Sequence, residues 1–111
     1  MMWDRIGRVQ GNYMWNATDS FPMRSLPPWI QLDPYLRLEH TRTSLPEGIH
    51  IRSGRVAPAF EQPGGGTQHL CEKQIYVGDT CVGVEPVSVA ELIARGIVKP
   101  LADDGGREAE E

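Results

Sequence analysis

Cysteine is scarce in this chain of 111 residues, with Cys71 and Cys81 the only two. Two cysteines without a neighbouring pair or a histidine cluster do not make a zinc site, whose ligands recur at short fixed spacings. A disulfide is also disfavoured. Gly78-Asp79 reads as a two-residue turn joining Ile75-Tyr76-Val77 to Thr80-Cys81-Val82, and in that register Cys81 lies opposite Tyr76 rather than Cys71. Two free thiols, buried or half-buried, are expected. Long apolar runs are missing as well. None approaches the ~20 residues that span a bilayer, and Met1-Met2-Trp3-Asp4-Arg5 lacks the apolar stretch of a signal peptide. The chain as written is expected to be cytoplasmic, or a piece whose delivery apparatus lies elsewhere, with no membrane partner.

Positive charge is thin. Lys and Arg total 11 against 15 Asp and Glu, a formal net charge of −4. Much of the excess sits in residues 103–111, where Asp103, Asp104, Glu108, Glu110 and Glu111 outnumber Arg107. That segment reads as a solvated acidic tail following a single folded domain over residues 1–102. Without it the body is close to neutral and its arginines are scattered. A nucleic-acid binder would carry a basic stripe, so nucleic acid is not an expected partner.

What the chain does contain is punctuation followed by alternation. To about Asp33 it is loop-rich, broken by Gly7, Gly11, Asn16, Asp19, Pro22, Pro27 and Pro28, yet it holds Trp3, Trp15 and Trp29. Large aromatics in such loops pin them to a surface, so order is expected. Tyr35-Leu36-Arg37-Leu38-Glu39-His40 alternates apolar and polar, as a half-buried strand does. Gly48-Ile49-His50-Ile51-Arg52 repeats the pattern, Gly54-Arg55-Val56-Ala57 reads as a short third strand, and Gln68 onward leads into the Gly78-Asp79 hairpin. Ser88 with Glu91 three residues later is a capping box, Leu92 and Ile93 give an apolar face, and Gly96 stands where a helix ends. Ile97-Val98-Lys99-Pro100-Leu101 closes as a strand. The fold class is α+β: a small single domain with a mostly antiparallel, twisted sheet, a loop-rich N-terminal third and one C-terminal helix.

The most unusual composition lies in residues 57–68, with two prolines, Gly64-Gly65-Gly66 and then Gln68. Such a run cannot be mid-helix or a central strand. It is not a phosphate-binding P-loop, because no Gly-Lys-Ser/Thr follows, nor a strand–helix dinucleotide fingerprint. It is either a structural turn or a place where backbone approaches a ligand. In the second reading the missing Cβ atoms leave room, and the Gln68 amide is the group presented. Arg5 and Tyr13 flank Gly7 and Gly11. They are either a surface arginine and a core tyrosine, or a guanidinium for phosphate with a ring for stacking. His40, His50 and His69 match no metal motif. No nucleophile–base–acid triad and no paired carboxylates are evident, although Glu61 is near the glycines.

Three separated blocks then align in order with one family. Asp4-Arg5-Ile6-Gly7, Gly11-Asn12-Tyr13 and Arg24-Ser25-Leu26-Pro27-Pro28 resemble the opening of the tuberculosis necrotizing toxin domain, a bacterial NAD+ glycohydrolase. Val56 to Gln68 is similar to that family's most recognisable stretch, and Ser88 to Ile93 with Gly96 resembles its C-terminal helix. Ile6 departs from the family's aromatic, and Glu61 stands where a small residue is common. The resemblance implies NAD+ or NADP+ as substrate, no added cofactor or metal, and an immunity protein as partner. It implies that Arg5, Tyr13, Gly65, Gly66 and Gln68 bind substrate, with Gln68, Tyr13 and His40 catalytic. For the family histidine, Leu36 is the alternative position to His40.

Overall fold

The computed structural model describes residues 2–41 and 44–101, so the acidic tail expected over 103–111 lies outside the described residues. Seven strands form one antiparallel sheet: β1 (Met2–Ile6), β2 (Tyr13–Asn16), β3 (Tyr35–His40), β4 (Ile49–Arg55), β5 (Thr67–Val77), β6 (Thr80–Pro86) and β7 (Val98–Pro100). Their order is β4-β5-β2-β1-β3-β7, with β6 also paired to β5. The single helix of the described residues, α1, spans Val89–Ala94, and two 3-10 turns cover Phe21–Arg24 and Pro28–Leu32.

The helix forms where the capping signal stands. Ser88 Oγ accepts a hydrogen bond from the Glu91 amide at 3.1 Å, and Gly96 takes φ 75° past the C-terminus. The box is half closed, because the Glu91 carboxylate accepts from Arg95 Nε at 2.8 Å instead of reaching back. Val89 and Leu92, one turn apart, are fully buried. They meet Trp3, Met14, Leu38, Cys71 and Val98 from the sheet, which together make the apolar core. Each such side chain contributes about 1.5–3 kcal/mol by leaving water.

The N-terminal third is loop-rich after Asn16, but its first residues depart from expectation. β1 and β2 are inner strands, each flanked on both sides. They escape a pattern search because Asp4, the centre of β1, is a fully buried charge. Arg24 answers it with a fork, Nη1 to Oδ1 at 2.6 Å and Nη2 to Oδ2 at 3.0 Å, and the Tyr35 hydroxyl donates to Oδ2 at 2.8 Å. Burial, then the bond to Asp4, holds the Tyr35 hydroxyl up at about 12. A buried carboxylate persists only when paired and hydrogen-bonded in this way.

Two smaller expectations are corrected. The separate strand at Gly54 is the end of β4, since Gly54 and Arg55 stay in register with Gln68 and Thr67. Cys81 faces Tyr76 as expected and both thiols are free, but Cys81 is exposed because the hairpin tip projects beyond the core. Cys71 is buried, which pushes its thiol up to about 11.

Candidate functional site

Opposed residues in an antiparallel ladder point to the same side, and neighbours along a strand alternate. The register pairs Tyr13 with Leu70 and Leu70 with Arg52; the next row pairs Trp15 with Gln68 and Gln68 with Gly54. Tyr13, Gln68 and Arg52 thus emerge on the face away from α1. They line one open cavity of ≈ 310 Å³ with Ser53, Gly54 and Leu70. Gly54 opposite Gln68 leaves bare backbone beside the amide. Tyr13 is 42% exposed, which leaves its ring available for stacking. Arg52 supplies a cation at the rim, its Nη2 3.0 Å from Glu72 Oε2, with a side chain 66% exposed. Arg52 was missed in the sequence, where nothing before the strand register brings it beside Gln68.

Arg5 is absent from this lining but supports it. Its Nε donates to the Arg8 carbonyl at 2.6 Å and its Nη1 to the Tyr13 carbonyl at 2.8 Å. The guanidinium fills the β1–β2 connection so closely that a Cβ at Gly11 would stand 1.8 Å from Nη2. Any larger residue at Gly11 would have to push the Arg5 guanidinium off the Arg8 and Tyr13 carbonyls. Burial lowers the Arg5 pKa, partly offset by Asp33.

The glycine run serves the chain's own backbone. A Cβ at Gly64 would meet the Val56 carbonyl oxygen at 2.6 Å, and one at Gly66 would meet Asp19 Oδ2 at 2.6 Å and the Met23 carbonyl at 2.9 Å. Gly66 N donates to the Met23 carbonyl and Gly64 N to that of Pro22, docking the loop on the first 3-10 turn. Asp19 Oδ2 also accepts from Thr67 N at 2.7 Å, which sets where β5 begins. Neither Gly65 nor Gly66 is among the cavity's lining residues. Their contribution is to aim the strand that carries Gln68.

The other face of the sheet, on the side of α1, holds a second cavity of ≈ 610 Å³ that includes Trp3, Asn16, His40, Ser53 and His69. Trp3 stacks with His40 at 4.8 Å and with His69 at 4.2 Å. Ser53 Oγ lies 2.7 Å from His69 Nδ1, and His69 Nε2 lies 2.7 Å from Asn16 Oδ1. This serine–histidine–amide chain escaped the sequence because its members are spread over three strands. Burial lowers the His69 pKa to about 4, and His40 adds to the effect against Asp19. A base so weak is poorly matched to activating a hydroxyl near neutrality. The chain satisfies the polar groups of a buried imidazole.

The family model described as tuberculosis necrotizing toxin matches residues 1–101. The chain belongs to the tuberculosis necrotizing toxin family. It is similar to the solved structure of tuberculosis necrotizing toxin (TNT) complexed with its immunity factor IFT, with a TM-score of 0.72 and 32% identity. That likeness covers 88% of this chain and 46% of the solved one, so the chain spans about half the length of that toxin chain. No curated protein matches.

Of the positions that the family resemblance singles out, Tyr13 and Gln68 come together in the open cavity. Arg5 stands behind Tyr13, and Gly65 and Gly66 stand in the loop before Gln68. His40 does not join them. It shares the α1 face with Trp3, and Leu36, four residues earlier on the same strand, points to that face too. Arg24, from the Arg-Ser-Leu-Pro-Pro block, is buried on Asp4. Among the described residues no group of three His, Cys, Asp or Glu is placed to hold a metal ion. No helix among them is long and apolar enough to cross a membrane.

Proposed function

We propose that this toxin-family domain is an NAD+ glycohydrolase, with NADP+ a second substrate, that cleaves the nicotinamide–ribose bond to release nicotinamide and ADP-ribose. The observation that carries the reading is the convergence of Tyr13, Gln68 and Arg52 on one open cavity. Nicotinamide leaves as a neutral molecule, so no acid is needed to protonate it, in contrast to ordinary glycoside hydrolysis. The transition state resembles an oxocarbenium ion that water captures. What remains for the protein is to hold the dinucleotide, orient the ribose and stabilise the changing charge.

In this reading the Tyr13 ring stacks on the nicotinamide. The Gln68 amide hydrogen-bonds the ribose or orients the attacking water. Arg52 meets the pyrophosphate, a role for which a guanidinium is well shaped. Arg5 acts as a positioning residue through the Tyr13 carbonyl. An immunity protein that covers the cavity is the partner this reading implies, by analogy with the toxin solved beside its immunity factor. The domain would then act after delivery as a secreted effector module.

Incubation of the purified protein with NAD+, followed by measurement of nicotinamide release, tests the proposal. A folded protein without turnover at micromolar concentration would overturn it. The position of His40 on the α1 face favours one second reading, a relative that binds the dinucleotide without cleaving it. Calorimetry with NAD+ recovered intact is its signature.

A further inference from the structure

A strand paired on one side only is where a sheet can take up another strand. Among the described residues β4, β6 and β7 are such edges. β4 carries His50, Arg52 and Arg55, so a second β4 brought alongside would meet like charge. β7 has three residues, one a lysine and one a proline that lacks a donor. β6 has neither protection. Its one charged side chain, Glu85, is held by Lys73 of the same hairpin at 3.3 Å. We propose that β6 is a self-association edge, at which two copies of this chain pair antiparallel about a two-fold axis at Val84.

The hairpin is short of cover. Beyond Lys73 every residue of β5 and all of β6 are exposed, with Val82 at 59% and Val84 at 48%. A two-stranded ribbon with both faces in water is marginal by itself. A second β6 turns two ribbons into one four-stranded sheet.

The backbone selects the axis. Val87 N donates to the Cys71 carbonyl at 2.8 Å, and Gln74 N donates to the Gly48 carbonyl on the other side of β5. Neighbouring residues of an antiparallel ladder direct their N–H and C=O to alternate sides. Glu85 is thus the residue that bonds Lys73, and Val84 turns both its N–H and its C=O outward. With the axis at Val84, the two Val84 residues exchange a pair of backbone hydrogen bonds. The side chains complement themselves in the same register. Val82 and Pro86 share the face of Val84, so each Val82 stands across from Pro86 of the second copy. On the opposite face each Glu85 stands across from a Gly83, which adds neither bulk nor charge. The register shift opposite Ile75–Tyr76 bends β6 at Val82 and ends the straight edge there.

Two strands this short bury less than the roughly 1,200–2,000 Å² of a stable complex, so the dimer is weak, with a Kd on the order of 0.1 mM. Sedimentation velocity over about 10 μM to 1 mM is expected to pass from monomer to mostly dimer. Reductant is present throughout, because Cys81 is an exposed thiol. Val84→Lys and Val84→Glu each set like charges directly opposite and are expected to weaken association at least roughly tenfold. Mixed in equal amounts, the two variants are expected to dimerise again, since lysine then faces glutamate. Val84→Pro deletes the outward N–H without breaking a bond to β5, and should weaken the dimer by about tenfold. A chain still monomeric at about 1 mM would leave this edge to a strand from a different protein and overturn the proposal. A Val84→Lys variant that dimerises as before, or a lysine–glutamate mixture that stays monomeric, would also overturn it. NAD+ turnover plays no part in the readout, so this interface and the proposed activity stand or fall separately.

Discussion

The two faces of the sheet are closed by different physics. On one side, α1 seals Trp3, Met14, Leu38 and Cys71 with apolar contact, and Leu92 and Val89 are the fully buried plugs. On the other, the turns between Asn16 and Pro34 are held by a buried Asp4–Arg24 fork, the Asp19 carboxylate and backbone hydrogen bonds of the glycine run. Apolar packing is tolerant of direction and tight in volume. Hydrogen-bonded closure is the reverse, because each group demands a partner at a set angle. The open cavity with Tyr13 and Gln68 lies on the polar-closed face, where a polar substrate can be oriented. The cavity with Trp3 lies on the apolar-closed face.

The largest effect is expected from cutting the polar closure at its centre. Arg24→Ala leaves Asp4 buried and unpaired, and should cost about 3–5 kcal/mol in a denaturant titration. The double change Asp4→Leu with Arg24→Met should recover much of that loss, because an apolar pair of similar volume is often no worse than a buried ion pair. Full loss in the double variant would mean that the fork organises the turns in some further way.

The next effect sharpens the contrast between closure and chemistry. Gln68→Ala is expected to lower NAD+ turnover by about 100-fold, or ~2.7 kcal/mol in the barrier, with the thermal midpoint nearly unchanged. A collapse of the midpoint would assign Gln68 to structure instead. Arg52→Ala should act more mildly, raising KM roughly tenfold with little change in kcat, as loss of one exposed phosphate contact would. An unchanged KM would remove Arg52 from the substrate site.

The last expected effect belongs to the other face and appears only in acid. Folded His69 titrates at about 4 against an ordinary 6.5. Between those values the unfolded chain binds more protons, so stability falls as the pH falls through that window and levels off below it. Thermal midpoints from pH 7 to 4 should show this slope, and His69→Asn should flatten it. A slope that persists in the variant would point to the carboxylates.

Much of this was readable in advance where one residue's surroundings are local. The helix from Ser88 to Gly96, the Gly78-Asp79 hairpin and the strand at Tyr35–His40 follow from capping, turn preference and alternation, which need no distant partner. β1 was hidden because Asp4 looks like surface until Arg24, twenty residues away, neutralises it. The site divided in the same manner. Tyr13 and Gln68 were found from the family blocks, whereas Arg52 depends on a register between β4 and β5 that no local signal encodes.

By itself, then, the sequence determined the class of the fold, the family, and the stretches where the chain must turn. Tertiary structure alone decided which side chains share a face. Strand residues alternate with a period of two, so a shift of one residue in pairing moves a group to the opposite side of the sheet. That is why His40 stands with Trp3 on one face while Tyr13 and Gln68 stand on the other, although all four come from strands of a single sheet.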